Sequence, residues 1–111
     1  MVRYTLAALL LSSAAYAADG KEEVCKYQGE IMKAIQDARL DRVKLDDLEA
    51  HLLENEPSWP ENYNVVITQF APIVYEAKRR DLKKVDLGVQ LETQCLDNWD
   101  QIQEMQKSVS N

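Results

Sequence analysis

Glycine, proline and histidine are scarce in this 111-residue chain, which has three glycines, three prolines and one histidine. No glycine-rich loop is present to bind phosphate, and no Gly-x-Ser-x-Gly turn is present to hold a nucleophilic serine. His51 has no partner at metal-ligand spacing, which excludes a zinc site, and we expect it to be solvent-exposed. The carboxylates are scattered. These absences predict a protein that is not an enzyme and that needs no cofactor or metal.

The N-terminus has the layout of a secretory signal. Arg3 precedes an apolar run from Leu6 to Leu11, which is too short to cross a bilayer as a helix. Small residues follow and end in Ala15-Tyr16-Ala17, an A-x-A cleavage pattern. The sequence therefore predicts a signal peptide over residues 1–17 and a mature protein in the periplasm or secreted, with no stable membrane insertion after cleavage.

The mature chain, residues 18–111, is small and acidic. Its length suits one domain. Removal of Arg3 leaves 12 basic side chains against 19 acidic ones, a net charge of -7. This charge argues against binding to nucleic acid or to an anionic membrane surface, because both require clustered cations. It is typical of a soluble protein and could also attract a basic partner.

The two cysteines, Cys25 and Cys95, lie near the two ends of the mature chain. In an oxidising compartment a disulfide between them is expected. Loop-closure entropy gives such a crosslink about 4 kcal/mol of stabilisation. A redox-active pair is the alternative, but no C-x-x-C motif is present to lower the pKa of either thiol. The spacing favours a structural disulfide.

Helical periodicity dominates the first half of the mature chain. Apolar residues recur every three or four positions from Glu22 to about Leu40, with Cys25 and Met32 at the edge of that stripe. Gly29 falls on the opposite side, where it is expected to open no packing void. A second helix from about Leu45 to Glu54 should bury Leu45, Leu48 and Leu52.

Two further helices are expected after the proline-flanked loop Asn55–Pro60. Ser58-x-x-Glu61 matches a capping box at the start of the third helix, whose inner face includes Phe70, Ile73 and Val74. Pro72 should kink this helix without ending it. A turn around Asp81 to Asp86 leads into a last helix that should bury Leu87, Leu91, Cys95, Ile102 and Met105. The sequence predicts a compact all-α domain of four helices.

Two groups of residues are candidate binding surfaces. Trp59, in the proline-flanked loop, is expected to be partly exposed and, with Tyr63, could anchor a protein partner, although core packing also explains these aromatics. The second group is the basic run Lys78-Arg79-Arg80 with Lys83 and Lys84. Arg79, Arg80, Lys83 and Lys84 could bind an anion, or the run could simply be solvated at a helix end.

The segments Val24–Ile31, Ala38–Leu40, Trp59–Tyr63 and Cys95-Leu96 resemble a group of small exported proteobacterial proteins without an assigned function. This resemblance spans nearly all of the mature chain and implies only an exported location. In layout, with a signal peptide, about ninety residues, helices and one long-range cysteine pair, the chain is also similar to periplasmic acid-stress chaperones and to small helical immunity proteins. No motif of either class is matched, so no residue role is carried over.

These observations leave two main hypotheses of function. The first is a non-enzymatic binding module in the periplasm, most sharply an immunity or inhibitor protein with one protein partner. The second is an acid-activated chaperone, since protonation of 19 carboxylates would reverse the net charge and could loosen the fold. The sequence does not identify a ligand, a partner or an oligomeric state.

Overall fold

The structure, a computed structural model, describes residues 20–110 and the side chains of residues 20–105. The predicted signal peptide, residues 1–17, lies outside the described residues. Residues 20–110 contain six α-helices and no strand, which confirms the all-α class but not the expected number of four helices. The helices are α1 (Lys21–Leu40), α2 (Leu45–Glu54), α3 (Val65–Glu76), α4 (Arg79–Leu82), α5 (Leu87–Asp97) and α6 (Trp99–Ser110), with a 3₁₀ turn at Glu61–Tyr63.

Helix α1 is the centre of the fold. Its predicted apolar stripe is confirmed, because Ile31, Ile35 and Ala38 are all buried in the main core. Helices α3 and α5 pack along α1, and α2 covers one side of α1 and α3. Burial of a continuous apolar stripe against two neighbouring helices is what stabilises a helix of this length in water.

Helix α1 ends in a Schellman motif. The amide of Val43 donates to the carbonyl oxygen of Ala38 at 2.9 Å, and the amide of Arg42 donates to that of Arg39 at 3.1 Å. The motif requires a left-handed residue, and Arg42 occupies that position with φ of 67°. Val43 then packs against the core, so this turn fixes the direction in which α2 begins.

Helix α2 has the predicted bounds but buries less than expected. Leu48 is fully buried and Leu52 packs at the edge of the core, whereas Leu45 is 45% exposed. The expectation for Leu45 is wrong because this residue lies in the first turn, beyond the point where α1 and α3 cover the helix.

The expected capping box is also wrong. The Ser58 hydroxyl does not cap a helix and instead donates to the Glu30 carboxylate of α1 at 2.8 Å. Pro60 takes the N-cap position of the 3₁₀ turn, and α3 begins only at Val65. The loop is therefore held against α1 rather than closed on its own helix.

Helix α3 continues through Pro72, as predicted for a proline that does not end the helix. Val66, Ile67, Ala71 and Val74 are buried, but Ile73 is 62% exposed. The expected inward position of Ile73 is wrong. Neighbouring helical residues point about 100° apart, and Val74 takes the direction of the core.

The last predicted helix is in fact two helices, α5 and α6, and the short helix α4 precedes them, ending inside the turn expected around Asp81 to Asp86. Gln36 and the N-cap Asp86, whose carboxylate accepts from the Val89 amide at 3.0 Å, hold the start of α5 apart from α4. A second break falls at Asn98, whose backbone and side-chain amides both donate to the Gln94 carbonyl at 2.9 Å. After this break Met105 is 68% exposed, so its predicted place on an inner face is wrong.

Helices α1 and α5 run antiparallel and are joined at two levels. Cys25 and Cys95 lie at disulfide-bonding distance, with the two sulfur atoms 2.04 Å apart, as predicted. One turn further along, Gly29 faces Gly88 so closely that a Cβ on Gly29 would lie 2.8 Å from the Gly88 carbonyl oxygen. The expectation that Gly29 lies away from the packed side is therefore wrong, since it is buried at the helix crossing.

Candidate interaction surface

Trp59 and Tyr63, the predicted partner anchors, both lie in the core. Trp59 is only 8% exposed, and its indole Nε1 donates to the Asn64 side-chain oxygen at 2.9 Å. Tyr63 is fully buried, and its ring centroid lies 5.0 Å from that of Tyr27. The expected exposure of Trp59 is wrong, because the loop packs onto the helices, where Ser58 donates to the Glu30 carboxylate and Trp59 joins the core. The prediction that these rings bind a partner assumed that Trp59 is exposed, and neither ring offers accessible surface for such a contact.

Gln36 organises the segment between α4 and α5. It is 5% exposed, and its side-chain Nε2 donates to the Leu82 and Val85 carbonyl oxygens at 2.7 and 2.8 Å. Its Oε1 accepts from the Leu87 amide at 3.0 Å. A buried amide side chain that satisfies three backbone groups fixes the segment that leads from α4 to α5. A polar residue inside a helical stretch carries no motif that predicts the role of Gln36, although its position one turn after Met32 indicates burial.

Arg39 and Tyr75 join the ends of α1 and α3. Arg39 donates from Nη2 to the Ala77 carbonyl oxygen at 3.3 Å, and its guanidinium carbon lies 5.5 Å from the centroid of the Tyr75 ring. The Tyr75 hydroxyl donates to the Val43 carbonyl oxygen at 2.7 Å. Burial raises the pKa of the Tyr75 hydroxyl above its usual value of 10.0, and the Arg39 charge partly opposes this effect.

These contacts bring eight of the thirteen lysines and arginines of the chain to one end of the molecule. Gln36 and Arg39 place α4 and its flanking residues beside the C-terminal part of α1 and its exit loop. We call this surface the basic end, and its cations are Arg39, Arg42, Lys44, Lys78, Arg79, Arg80, Lys83 and Lys84. The same segments also carry seven exposed acids, Asp37, Asp41, Asp46, Asp47, Glu76, Asp81 and Asp86, so cations clearly outnumber acids only in the run Lys78–Lys84. The predicted anion-binding residues Arg79, Arg80, Lys83 and Lys84 are thus on one surface, to which the fold adds three residues from α1 and its exit loop.

The cations of the basic end are mostly free to meet a partner. Arg80 and Asp81 form an ion pair at 3.6 Å, but both side chains are more than half exposed, so this pair contributes little stability. Lys78, Lys83 and Lys84 are exposed, and Arg79 is half-buried. Exposed cations without a structural role are available for electrostatic attraction to an acidic surface.

A shallow depression of about 450 Å³ adjoins the basic end. It lies between the α1 exit loop and α2 and is lined by Arg42, Val43, Lys44, Asp47, Ala50, His51 and Glu54. His51 is half-buried there rather than fully solvent-exposed as expected. Because the lining mixes basic and acidic side chains, the depression has no preference for ligands of one charge.

The opposite end of the molecule is acidic. Glu22 and Glu23 lie in the first turn of α1 beside the disulfide, and Asp97, Asp100 and Glu104 follow Cys95 in α5 and α6. From residue 85 to residue 106 the sequence contains no lysine or arginine. Lys21 and Lys26 of α1 also lie at this end, so acids predominate there without excluding cations.

Within residues 20–110, no three His, Cys, Asp or Glu side chains come together in an arrangement that could hold a metal ion. None of the helices described there is both long enough and apolar enough to cross a membrane. Comparison with protein-family models, with curated proteins and with solved structures found no significant match. The interpretation of the surface therefore depends on its own geometry.

Proposed function

We propose that this chain is a small, exported, non-enzymatic protein-binding module that contacts an acidic protein partner through its basic end. The observation that carries the proposal is the run of five cations between Lys78 and Lys84, interrupted by the single acid Asp81 and held in place by Gln36 and Arg39 of α1 at one end of an acidic molecule. Complementary charge raises the rate of encounter and selects against partners of the wrong sign. An immunity or inhibitor protein, which neutralises one partner, is the sharpest form of this proposal.

The scaffold under the basic end supports a binding role. Gln36 binds two backbone carbonyls and one backbone amide around α4, and Arg39 Nη2 binds the Ala77 carbonyl, so α4 and the residues around it are held in place by α1. A surface that is already ordered loses less conformational entropy when it binds. The exposed lysines of this surface can then contribute mainly to the attraction of a partner.

Export is supported by the predicted signal peptide and by the cysteine pair. A crosslink between Cys25 and Cys95 would persist in an oxidising compartment and would be reduced in a cytosolic one. The partner is therefore expected in the same compartment, which is the periplasm or the extracellular space.

Affinity capture with the mature, oxidised protein tests the proposal. The bait is residues 18–111, the source is a periplasmic extract, and bound proteins are identified by mass spectrometry. We expect one stoichiometric partner, whose capture weakens as salt screens the charges. The variant Lys83→Glu with Lys84→Glu should reduce the capture of this partner at least about tenfold.

The matched control is Lys21→Glu with Lys26→Glu, which makes the same charge change on exposed residues near the acidic end. The control variant should retain the partner at the wild-type level. Equal loss in both variants would indicate a general charge effect, and equal retention in both would remove the basic end from the proposal.

A further inference from the structure

The cations of α4 and its flanking residues have an ordered arrangement. Leu82 is only 3% exposed and turns one side of α4 into the core. Because successive helical residues point about 100° apart, Arg80 lies on the outer side of α4, with Lys83 and Asp81 on opposite flanks. A backbone hydrogen bond of 3.1 Å from the Lys83 amide to the first residue of α4 extends the helical turn to this lysine. The single acid of the run therefore lies away from Lys83.

Three further acids adjoin the contacts that hold this run against α1. Asp37 is the next residue after Gln36 in α1. Glu76 directly precedes the residue whose carbonyl oxygen accepts from Arg39, and Asp86 directly follows a residue whose carbonyl oxygen accepts from Gln36. All three acids are exposed. We call Asp37, Glu76 and Asp86 the flanking acids, because they border the run where it meets α1 and where it continues into α3 and α5.

The flanking acids cancel most of the charge of the run. Its five cations stand against Asp81 and the three flanking acids, so the local net charge is only +1. A uniformly anionic polymer laid across this surface would be attracted by the run and repelled by the flanking acids. Both effects act at short range, since the Debye length is about 8 Å at physiological ionic strength. The surface therefore offers such a polymer little net attraction.

A protein surface can match this pattern, because it can carry carboxylates and cations at separate positions. Carboxylates placed opposite the run and cations placed opposite the flanking acids would make both groups attractive. Complementary charges across an interface favour the right partner, and like charges brought together are costly. Discrimination between partners is greatest when a surface uses attraction and repulsion together. The mixed charge of the basic end suits this kind of discrimination.

We propose that the basic end selects a protein with a matching charge pattern, with carboxylates opposite the run Lys78–Lys84 and cations opposite the flanking acids. The flanking acids are then the residues that determine specificity, because they reject uniform polyanions that the run alone would attract. This inference rests on the proposed function, since it specifies the partner of the same surface.

Binding of inorganic polyphosphate, a uniform polyanion, tests the role of the flanking acids. The variant Asp37→Asn, Glu76→Gln, Asp86→Asn is prepared as the mature, oxidised chain. Asparagine at position 86 can still cap α5 through its side-chain oxygen. Fluorescence anisotropy with labelled polyphosphate at about 100 mM salt, where the Debye length is about 10 Å, gives the dissociation constants. We expect the variant to bind at least about threefold more tightly than the wild type.

The matched control is Glu23→Gln, Asp97→Asn, Asp100→Asn, which removes the same number of exposed charges at the opposite end. Its affinity for polyphosphate should stay close to that of the wild type. An equal gain in both variants would show that only the net charge matters, and would overturn the inference. No gain in either variant would also overturn it, because the flanking acids would then not restrain the run. Far-UV circular dichroism checks that both variants keep the wild-type helix content.

The capture experiment separates this inference from the proposed function. The flanking-acid variant should retain the captured protein at least about threefold less well than the wild type, although it binds polyphosphate more tightly. If that protein is lost on changing Lys83 and Lys84 but is fully retained by the flanking-acid variant, only the inference fails. If the wild type captures no stoichiometric partner, the proposed function fails and the inference fails with it.

Discussion

Gly29 and Gly88 face each other at the crossing of α1 and α5, with no room for a side chain on either residue. A Cβ on Gly29 would lie 2.8 Å from the Gly88 carbonyl oxygen, and a Cβ on Gly88 would lie 2.7 Å from the Gly29 carbonyl oxygen. In each case the obstructing atom belongs to the backbone, which cannot rotate away. The crossing therefore sets the distance between the two helices that the cysteine pair also joins.

This crossing predicts the effect of Gly29→Ala. In an exposed helix the change would stabilise by about 1 kcal/mol, because alanine has the higher helix propensity. Here the helices must separate, so we expect the free energy of unfolding to fall by about 1–3 kcal/mol, measured by urea denaturation. Gly88→Ala should behave alike. The double variant should cost less than the sum of the single variants, because both enlarge the same crossing.

The control for this prediction is Gly20→Ala. The nearest atom to a Cβ on Gly20 is the Glu22 carboxylate oxygen at 3.8 Å, an ordinary contact distance. We expect this change to alter the free energy of unfolding by less than about 1 kcal/mol. A stabilising effect of Gly29→Ala would show that the helices do not approach as closely as described.

Gln36→Met tests the hydrogen bonds by which α1 holds the segment between α4 and α5. The substitution keeps the length of the side chain but leaves the Leu82 and Val85 carbonyls and the Leu87 amide without their partner. We expect a loss of about 2–4 kcal/mol in the free energy of unfolding, because unsatisfied buried polar groups are costly. Amide hydrogen exchange at Leu87 should accelerate by more than the global loss of stability explains if the turn opens locally.

The matched control is Gln90→Met on α5, where the side chain is exposed. It should change the stability by less than about 0.5 kcal/mol. Similar losses for both substitutions would attribute the effect to methionine itself rather than to the hydrogen bonds of Gln36.

Loss of the Cys25–Cys95 crosslink should destabilise the protein without changing its fold class. The two residues are 70 positions apart, so the loop-closure model gives a loss of about 4 kcal/mol for Cys25→Ser with Cys95→Ser. Urea denaturation of this variant and of the oxidised wild type measures the difference. Because both cysteines are buried, reduction of the native protein should be slow unless the protein unfolds. Rapid reduction of the folded protein would contradict this packing.

The sequence alone predicts the parts of this fold that depend on local spacing. The stripe around Ile31 and Ile35 defines α1, the leucines of α2 give its bounds, and the cysteines allow only one intramolecular pairing. Each of these conclusions needs only helical periodicity or residue count.

The sequence could not predict features that depend on which segments meet. In the sequence, Gly29 lies on the side of the helix away from the apolar stripe, and only the folded chain shows that Gly88 packs against it. Trp59 lies in a loop sequence that predicts exposure, and only the folded chain shows that this loop packs onto the core. The basic run at Arg79 gains its neighbours Arg39 and Arg42 only through hydrogen bonds between residues about forty positions apart. Such contacts between distant segments leave no periodic pattern in a single sequence.

Tyr75 predicts a loss of stability in alkaline solution. Burial raises the pKa of its hydroxyl in the folded protein above the unfolded value of 10.0. The contribution of this group to stability is therefore fully present below pH 10.0 and is lost as the pH rises through the folded pKa, because the unfolded chain ionises first. Urea denaturation at a series of pH values should give a smaller alkaline loss for Tyr75→Phe than for the wild type.

The test compares how steeply the free energy of unfolding falls with pH in the two proteins, and not its value at one pH. This is needed because Tyr75→Phe also removes the hydrogen bond to the Val43 carbonyl oxygen. At neutral pH the variant is expected to be less stable by about 1 kcal/mol. Ultraviolet absorbance of the phenolate, taken as the difference between wild type and variant, gives the pKa of Tyr75 directly. A value below 10.0 would show that the charge of Arg39 outweighs burial.

Arg42 occupies a position in the α1 Schellman motif that suits glycine, since its φ is 67°. We expect Arg42→Gly to raise the free energy of unfolding by about 0.5–1 kcal/mol, because the left-handed conformation is costly for a residue with a side chain. Arg42→Ala removes the same charge but keeps a Cβ, so it should give no such gain. The difference between the two variants in urea denaturation isolates the backbone effect from the charge.

The two variants also test why a strained arginine lies at this position. Arg42 belongs to the basic end, so both substitutions should weaken capture of an acidic partner, although only Arg42→Gly stabilises the fold. Such opposite effects on stability and binding are expected where a residue serves function at a cost in backbone energy. If Arg42→Gly stabilises the protein and leaves capture unchanged, the charge of Arg42 has no part in the binding surface, and the basic end is confined to α4 and its flanking lysines.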